Sequence, residues 1–178
     1  MRTYHYNELF SKEVFELFKN YSESYAKEIG GLEVDENHLS IDVDQILKIM
    51  NIPIEETLLD YRLDEFDPQN PKVLVNITDS AERKRYTKAH GLGCFFIKDT
   101  DAYDHEERRA YDLANEILMP KKLVAIVIDL YQMRKNLTDE ELESENPMFF
   151  TVMLSKYMNV SMTAMRYRLI DLGVLVNE

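Results

Sequence analysis

Between Asp79 and Pro120 the chain carries two successive stretches of helical periodicity, and this pair constrains its fold more than any other feature. On the first, Tyr86, Ala89, His90, Gly93, Cys94 and Ile97 recur at i, i+3, i+4, i+7 spacing and share one face. On the second, Glu107, Ala110, Tyr111, Ala114 and Leu118 form a similar stripe, with a carboxylate where an apolar residue is expected. Two helices that pack these stripes together bring His90, Cys94 and Glu107 into one place. Imidazole, thiolate and carboxylate are the protein donors that zinc accepts, so the trio is a candidate metal site. Taken singly, each residue has a plainer reading. His90 reads as a hydrogen-bonded core histidine and Cys94 as a small buried hydrophobe. Glu107 reads as an ion-pair partner of Arg83 or Arg108. Only their conjunction points to a metal.

The rest of the chain supplies a body for this pair. Residues 8–29 have the spacing of one long amphipathic helix, with Phe10, Val14, Leu17, Phe18, Tyr21 and Tyr25 on a stripe and Gly30-Gly31 as its end. A polar stretch from Glu33 to Ser40 leads to a short helix with Val43, Ile46, Leu47 and Met50 inward and Asp42 as its cap. Strands are expected over 53–62 and 72–77, separated by the turn Asp67-Pro68-Gln69-Asn70-Pro71. Asp79-x-x-Glu82 reads as a capping-box start for the helix bearing His90. After Pro120, an apolar helix puts Leu123, Ile126, Val127 and Leu130 inward, and Thr138-x-x-Glu141 starts another that stops before Pro147. From Phe149 to Leu175 the pattern is helix, turn at Met158-Asn159-Val160, then a helix capped by Ser161 with Met165, Leu169 and Leu172 on its stripe, closed by Gly173.

Composition narrows the function. At 178 residues, with 45% hydrophobic and 30% charged positions, the chain has the length and make-up of an ordinary folded domain. A net charge of -12 argues against an autonomous nucleic-acid binder, whose affinity rests on Lys and Arg meeting phosphates. Lys156, Arg166 and Arg168 form the one basic patch of the last two helices, and Met162, Met165 and Tyr167 are expected to be committed to packing there. Arg83 and Arg85 are expected on a solvated face, with a salt bridge to Glu107 or to an acid at a strand end as the alternative. A single cysteine excludes an internal disulfide. No stretch approaches the ~20 apolar residues of a membrane span, and the start MRTYHYNELF lacks an apolar signal core, so a cytoplasmic location is expected.

The central stretch resembles the ImmA/IrrE-type zinc metallopeptidases. In that family a strand runs into a helix patterned Ser-x-x-Arg-x-Arg-aromatic-Thr-x-Ala-His-Glu-x-Gly-His, followed by Glu-x-x-Ala on the next helix and a Leu-Met-Pro close. Here Val73 to Asn76 supply the strand, and Ser80, Arg83, Arg85, Tyr86, Thr87, Ala89, His90 and Gly93 match the helix. Glu107 and Ala110 follow, and Leu118-Met119-Pro120 closes. Val160 to Gly173 also matches the Val-Ser-x-x-Ala-Met-x-x-Arg-Leu-x-x-Leu-Gly run that ends many such chains, so the resemblance spans roughly residue 40 to the C-terminus. Two positions depart from it: Gly91 replaces the catalytic glutamate, and Cys94 replaces the second histidine.

The resemblance implies an α+β fold, mainly helical, on a zincin-like (minimal gluzincin) scaffold with a small, three-stranded antiparallel sheet and a C-terminal helix-turn-helix-like hairpin. The chain is expected to divide into an N-terminal amphipathic helix over 1–35, a metallopeptidase-type core over 36–135, and a helical hairpin over 136–178 packed on the core. His90, Cys94 and Glu107 take the ligand positions for zinc. The general-base position is empty at Gly91, and no nearby carboxylate obviously substitutes for it, with Glu106 and Asp104 on the next segment the two left open. Family members cleave or antagonise helix-turn-helix repressors of phages and mobile elements. The expected activity is therefore that of a degenerate member that binds such a repressor. An active zinc endopeptidase and a structural or DNA-associated helical module are the alternatives.

Overall fold

Two serines divide the N-terminal aromatic stripe. In the computed structural model, which describes residues 2–58, 66–67, 71–97 and 103–176, with the side chains of 66–67 and 103–106 outside the description, three helices replace the one expected over 8–29. They are α1 (Tyr6–Leu9), α2 (Lys12–Tyr21) and α3 (Glu23–Gly30). Ser11 Oγ accepts from the Val14 N–H at 3.2 Å, and Ser22 Oγ from the Tyr25 N–H at 3.4 Å. Each serine starts a new helix by satisfying a donor that has no partner inside it. Phe10, Val14 and Phe18 are buried across the breaks, so the apolar period continues although the helix does not. A two-stranded antiparallel sheet of β1 (Thr3–His5) and β2 (Glu33–Asp35) brackets these helices. It was not anticipated, because three-residue polar strands carry no periodic signal.

The helix capped by Asp42 forms as expected. α4 (Val43–Ile49) begins where Asp42 Oδ1 accepts from the Gln45 N–H at 3.0 Å, and Val43, Ile46, Leu47 and Met50 are buried. The sheet that follows differs from expectation. Its strands β3 (Ile54–Thr57), β4 (Phe66–Asp67) and β5 (Lys72–Asn76) lie in the order β3-β5-β4. β5 pairs antiparallel with β4 but parallel with β3, so the sheet is mixed and not three-stranded antiparallel. In sequence the Pro-rich segment lies between β4 and β5, and these two strands run in opposite directions while β5 runs alongside β3 in the same direction. Residues 59–62 of the expected strand and 68–70 of the turn lie outside the described residues. The central place goes to the strand whose Val73 and Val75 are fully buried.

α5 (Ala81–Ile97) carries His90 and is capped by Ser80, one residue later than expected. Ser80 Oγ accepts from the Arg83 N–H at 3.2 Å, while the Asp79 carboxylate reaches Arg83 Nε at 4.0 Å. α6 (Tyr103–Leu118) packs along it, and Pro120 caps α7 (Lys121–Lys135). Thr138 and Glu141 form the expected capping box of α8 (Asp139–Glu143). The hairpin of α9 (Pro147–Met158) and α10 (Met162–Asp171) turns at left-handed Asn159, and Ser161 accepts from the Ala164 N–H at 3.1 Å. Two details of this hairpin differ from expectation. Met162 and Tyr167 are exposed, and Arg168 is buried, donating from Nε to the Met119 carbonyl at 3.0 Å and pairing with Asp171 at 2.6 Å. That carbonyl lies at the end of α6, where a cation meets the negative end of the helix.

Ile46, Val73, Leu92, Ala114, Leu123, Met165 and the buried N-terminal aromatics form one continuous core, so sheet, site helices and hairpin hold each other in place. The molecule is α+β and mainly helical. Among the described residues no helix is long and apolar enough to cross a membrane.

Candidate metal centre

Long cations fix the N-terminal half of α5. Arg85, expected on a solvated face, turns inward and donates to three main-chain carbonyls: Ile41 at 2.6 Å, Asn159 at 2.7 Å and Met158 at 3.1 Å. The last two end α9, so one guanidinium ties the site helix to the hairpin at a helix C-terminus. Burial brings Arg85 down to about 10, against the opposing pull of Tyr6, Asp42 and Asp44. Lys84 pairs with Glu56 of β3 at 2.9 Å and Lys88 with Asp44 of α4 at 2.6 Å. Arg83 is exposed, as expected.

The C-terminal half is fixed by close approach. A Cβ at Gly91 would lie 2.6 Å and 2.9 Å from the two γ-methyls of Val73, so the helix rests on β5 with only a hydrogen between them. A Cβ at Gly93 would lie 2.7 Å from the Ala110 carbonyl oxygen and 3.1 Å from its Cα, which brings the backbones of α5 and α6 into contact. Glycine is the residue that permits such approaches. Beyond them, Phe96 meets Phe18 edge-on at 5.4 Å and Phe95 meets Tyr21 at 5.0 Å, docking the end of α5 on α2.

Between these contacts lie the expected donors. His90 is 7% exposed, and the Tyr111 ring stacks on it at 4.3 Å and 25°. Tyr86 stacks behind Tyr111 at 6.3 Å, with its hydroxyl 3.3 Å from Asn115 Oδ1. Burial, helped by the neighbouring Tyr111, pushes the Tyr86 phenol up to about 12. Cys94 is half-buried, with Sγ 3.9 Å from His90 Nδ1 and 3.8 Å from Nε2. The two stripes therefore do face each other. Glu107, however, is exposed, and among the described residues no group of three or more His, Cys, Asp or Glu side chains is placed to hold a metal ion. The donor types suit zinc, but their arrangement here does not fit one. Asp104 and Glu106, the stand-in carboxylates, lie outside the described side chains.

Two residues that shape this site did not stand out in the sequence. Tyr111 was counted as part of the apolar stripe, and its position four residues after Glu107, on the same face, was the available signal that it competes for the space opposite His90. Val73 read as a strand residue. Nothing local marks it as the neighbour of Gly91.

A family model described as the IrrE N-terminal-like domain, of the peptidase M78 group, matches residues 44–170. No curated protein matches the chain.

Proposed function

This chain belongs to the ImmA/IrrE (peptidase M78) family, and on that premise we propose that it is a pseudo-peptidase that binds and antagonises a helix-turn-helix repressor without cutting it. The observation that carries this reading is the contact between Gly91 and Val73. Peptide hydrolysis on a metallopeptidase scaffold needs a base beside the first ligand to take the proton from the attacking water. Losing such a base forfeits ~10²–10⁴ in rate. Here the position has no side chain, and the γ-methyls of Val73 stand where one would begin. A glutamate cannot enter without displacing a fully buried valine.

Binding asks less of the site than hydrolysis does. β3 is an edge strand in the order β3-β5-β4, and an extended segment recognised by strand addition needs such an edge rather than a catalytic carboxylate. Direct DNA binding is disfavoured by the net charge and by the burial of Arg168, which leaves Arg166 as the exposed member of the Arg166-x-Arg168 pair.

The test mixes the purified chain with a candidate helix-turn-helix repressor, chosen from the genes that flank its own, with excess zinc. A co-eluting complex with both chains intact by mass spectrometry is expected. Chelator-sensitive cleavage at a single site would overturn the reading in favour of an active endopeptidase.

A further inference from the structure

We infer that the family's zinc has no seat among the described residues of this chain, and that His90, Cys94 and Tyr111 form a metal-free joint between α5 and α6 in its place. The first argument is the direction of the lone pairs. A zinc ion sits about 2 Å from an imidazole nitrogen along its lone pair and about 2.3 Å from a thiolate sulfur. The lone pairs of Nδ1 and Nε2 diverge to opposite sides of the ring. Cys94 Sγ is almost equally far from both nitrogens, at 3.9 Å and 3.8 Å, so it lies on the midline of the ring and along neither lone pair. An ion placed on either nitrogen would stay ~4 Å or more from the sulfur, far beyond a zinc–sulfur bond.

The second argument concerns what keeps the ring there. Turning His90 to aim a nitrogen at Cys94 means breaking its stack with Tyr111, which Tyr86 supports from behind. The third concerns the remaining ligand. Glu107 and Tyr111 are one helical turn apart on the same face of α6; it is Tyr111, itself 36% exposed, whose ring stacks on His90, and Glu107 is exposed as well. Val73 lies where a side chain at Gly91 would begin, and the Tyr111 ring covers one face of His90. This inference shares its site with the pseudo-peptidase reading but is separable from it.

The test is made on the full chain purified without chelator. Zinc content after gel filtration, Tm with and without added zinc, and the rate at which Cys94 reacts with a thiol reagent are measured together. Substoichiometric zinc, an unchanged Tm and an unchanged thiol rate are expected. One zinc per chain that survives gel filtration, protects Cys94 and is lost in His90→Ala would overturn the inference. Should His90→Ala fail to fold, loss of the same zinc in Cys94→Ser overturns it equally. Zinc that persists in both variants is bound elsewhere and upholds it. Zinc at His90 with an intact repressor sinks this inference alone, whereas cleavage of the repressor by zinc-free protein sinks only the pseudo-peptidase reading.

Discussion

The two halves of α5 are held in opposite ways. Its N-terminal half is held by the reach of long side chains, with Lys84, Arg85 and Lys88 extending to Glu56, three carbonyls and Asp44. Its C-terminal half is held by what is missing, since Gly91 and Gly93 let a strand and a helix come within a hydrogen's width. A contact made by reach weakens in steps when the side chain is shortened. A contact made by absence has no such steps: even a methyl group forces a neighbour to shift, and the neighbours are a β-branched core residue and a helix backbone. In the sequence the two glycines look like a loss, each costing a helix about 1 kcal/mol relative to alanine. In the structure they permit the closest packing around the site.

Gly93→Ala should therefore have the largest effect. The new methyl meets the Ala110 backbone, which yields only if α5 and α6 part. Overpacking against a helix backbone lies at or just above the top of the usual range, ~3–4 kcal/mol, and less the ~1 kcal/mol gained in helix propensity it leaves a net loss of about 2–3 kcal/mol. For a chain of this size that is a fall in Tm of roughly 5–10 °C. A Tm within a degree of wild type would break the comparison. Arg85→Met comes next, at about 2 kcal/mol, because it leaves three carbonyls without their charged donor. Its signature is regional: hydrogen exchange should quicken at the α9–α10 turn more than elsewhere. Arg85→Lys should recover only part, since one ammonium cannot reproduce the planar fork.

Gly91→Ala should cost less, about 1 kcal/mol, because methyls shift more readily than backbone. It should also couple to its neighbour. In a double-mutant cycle, Val73→Ala is expected to remove most of the penalty, leaving an interaction energy of roughly 0.5–1 kcal/mol. Additive losses would mean that the two do not touch. The same contact bears on attempts to rebuild the site: Gly91→Glu with Cys94→His is expected to stay inactive while Val73 is present.

Local chemistry was legible in the sequence, and close approach was not. Asp42, Thr138-x-x-Glu141 and Ser161 announced their helices because a cap acts within three residues of itself. The paired stripes of α5 and α6 were legible for the same reason, being a matter of period. The serine breaks at 11 and 22 were missed because the aromatic period runs on through them. The direction of β3 against β5 was missed because pairing depends on where the chain returns, which no window of residues records. At the site, the sequence put His90, Cys94 and Glu107 on facing stripes. A stripe fixes a face but not a distance, and Tyr111 shares that face with Glu107. Arg85 is the same lesson in reverse: it read as a surface cation because its carbonyl partners lie 44 to 74 residues away.

Acid should separate the two halves of α5 with the smallest effect of the series. Glu56 is the carboxylate that Lys84 reaches, and the hydrogen bond from Lys84, followed by its charge, holds the Glu56 carboxyl below its ordinary 4.5. A carboxyl lowered in the folded state contributes stability that is fully present above the unfolded value and is lost as pH falls through the folded one. The window therefore opens near the ordinary value of 4.5 and extends below it. Within that window the Lys84–Glu56 link between α5 and β3 should loosen. The contacts of Gly91 and Gly93 contain no titratable group and should not change. Residue-resolved hydrogen exchange, stepped from pH 6 to pH 3.5 and corrected for intrinsic rates, reads both in one sample. Protection should fall first at residues 81–88 and later at 90–97, and Lys84→Met should shrink that difference. Other carboxylates titrate over the same range, Asp35 and Glu82 among them, so the wild-type profile alone is not diagnostic. The diagnostic is the difference between wild type and Lys84→Met, because the other carboxylates are common to both. If the two profiles superimpose, the ion pair does not hold this half of the helix, and the burden falls on Arg85 and Lys88.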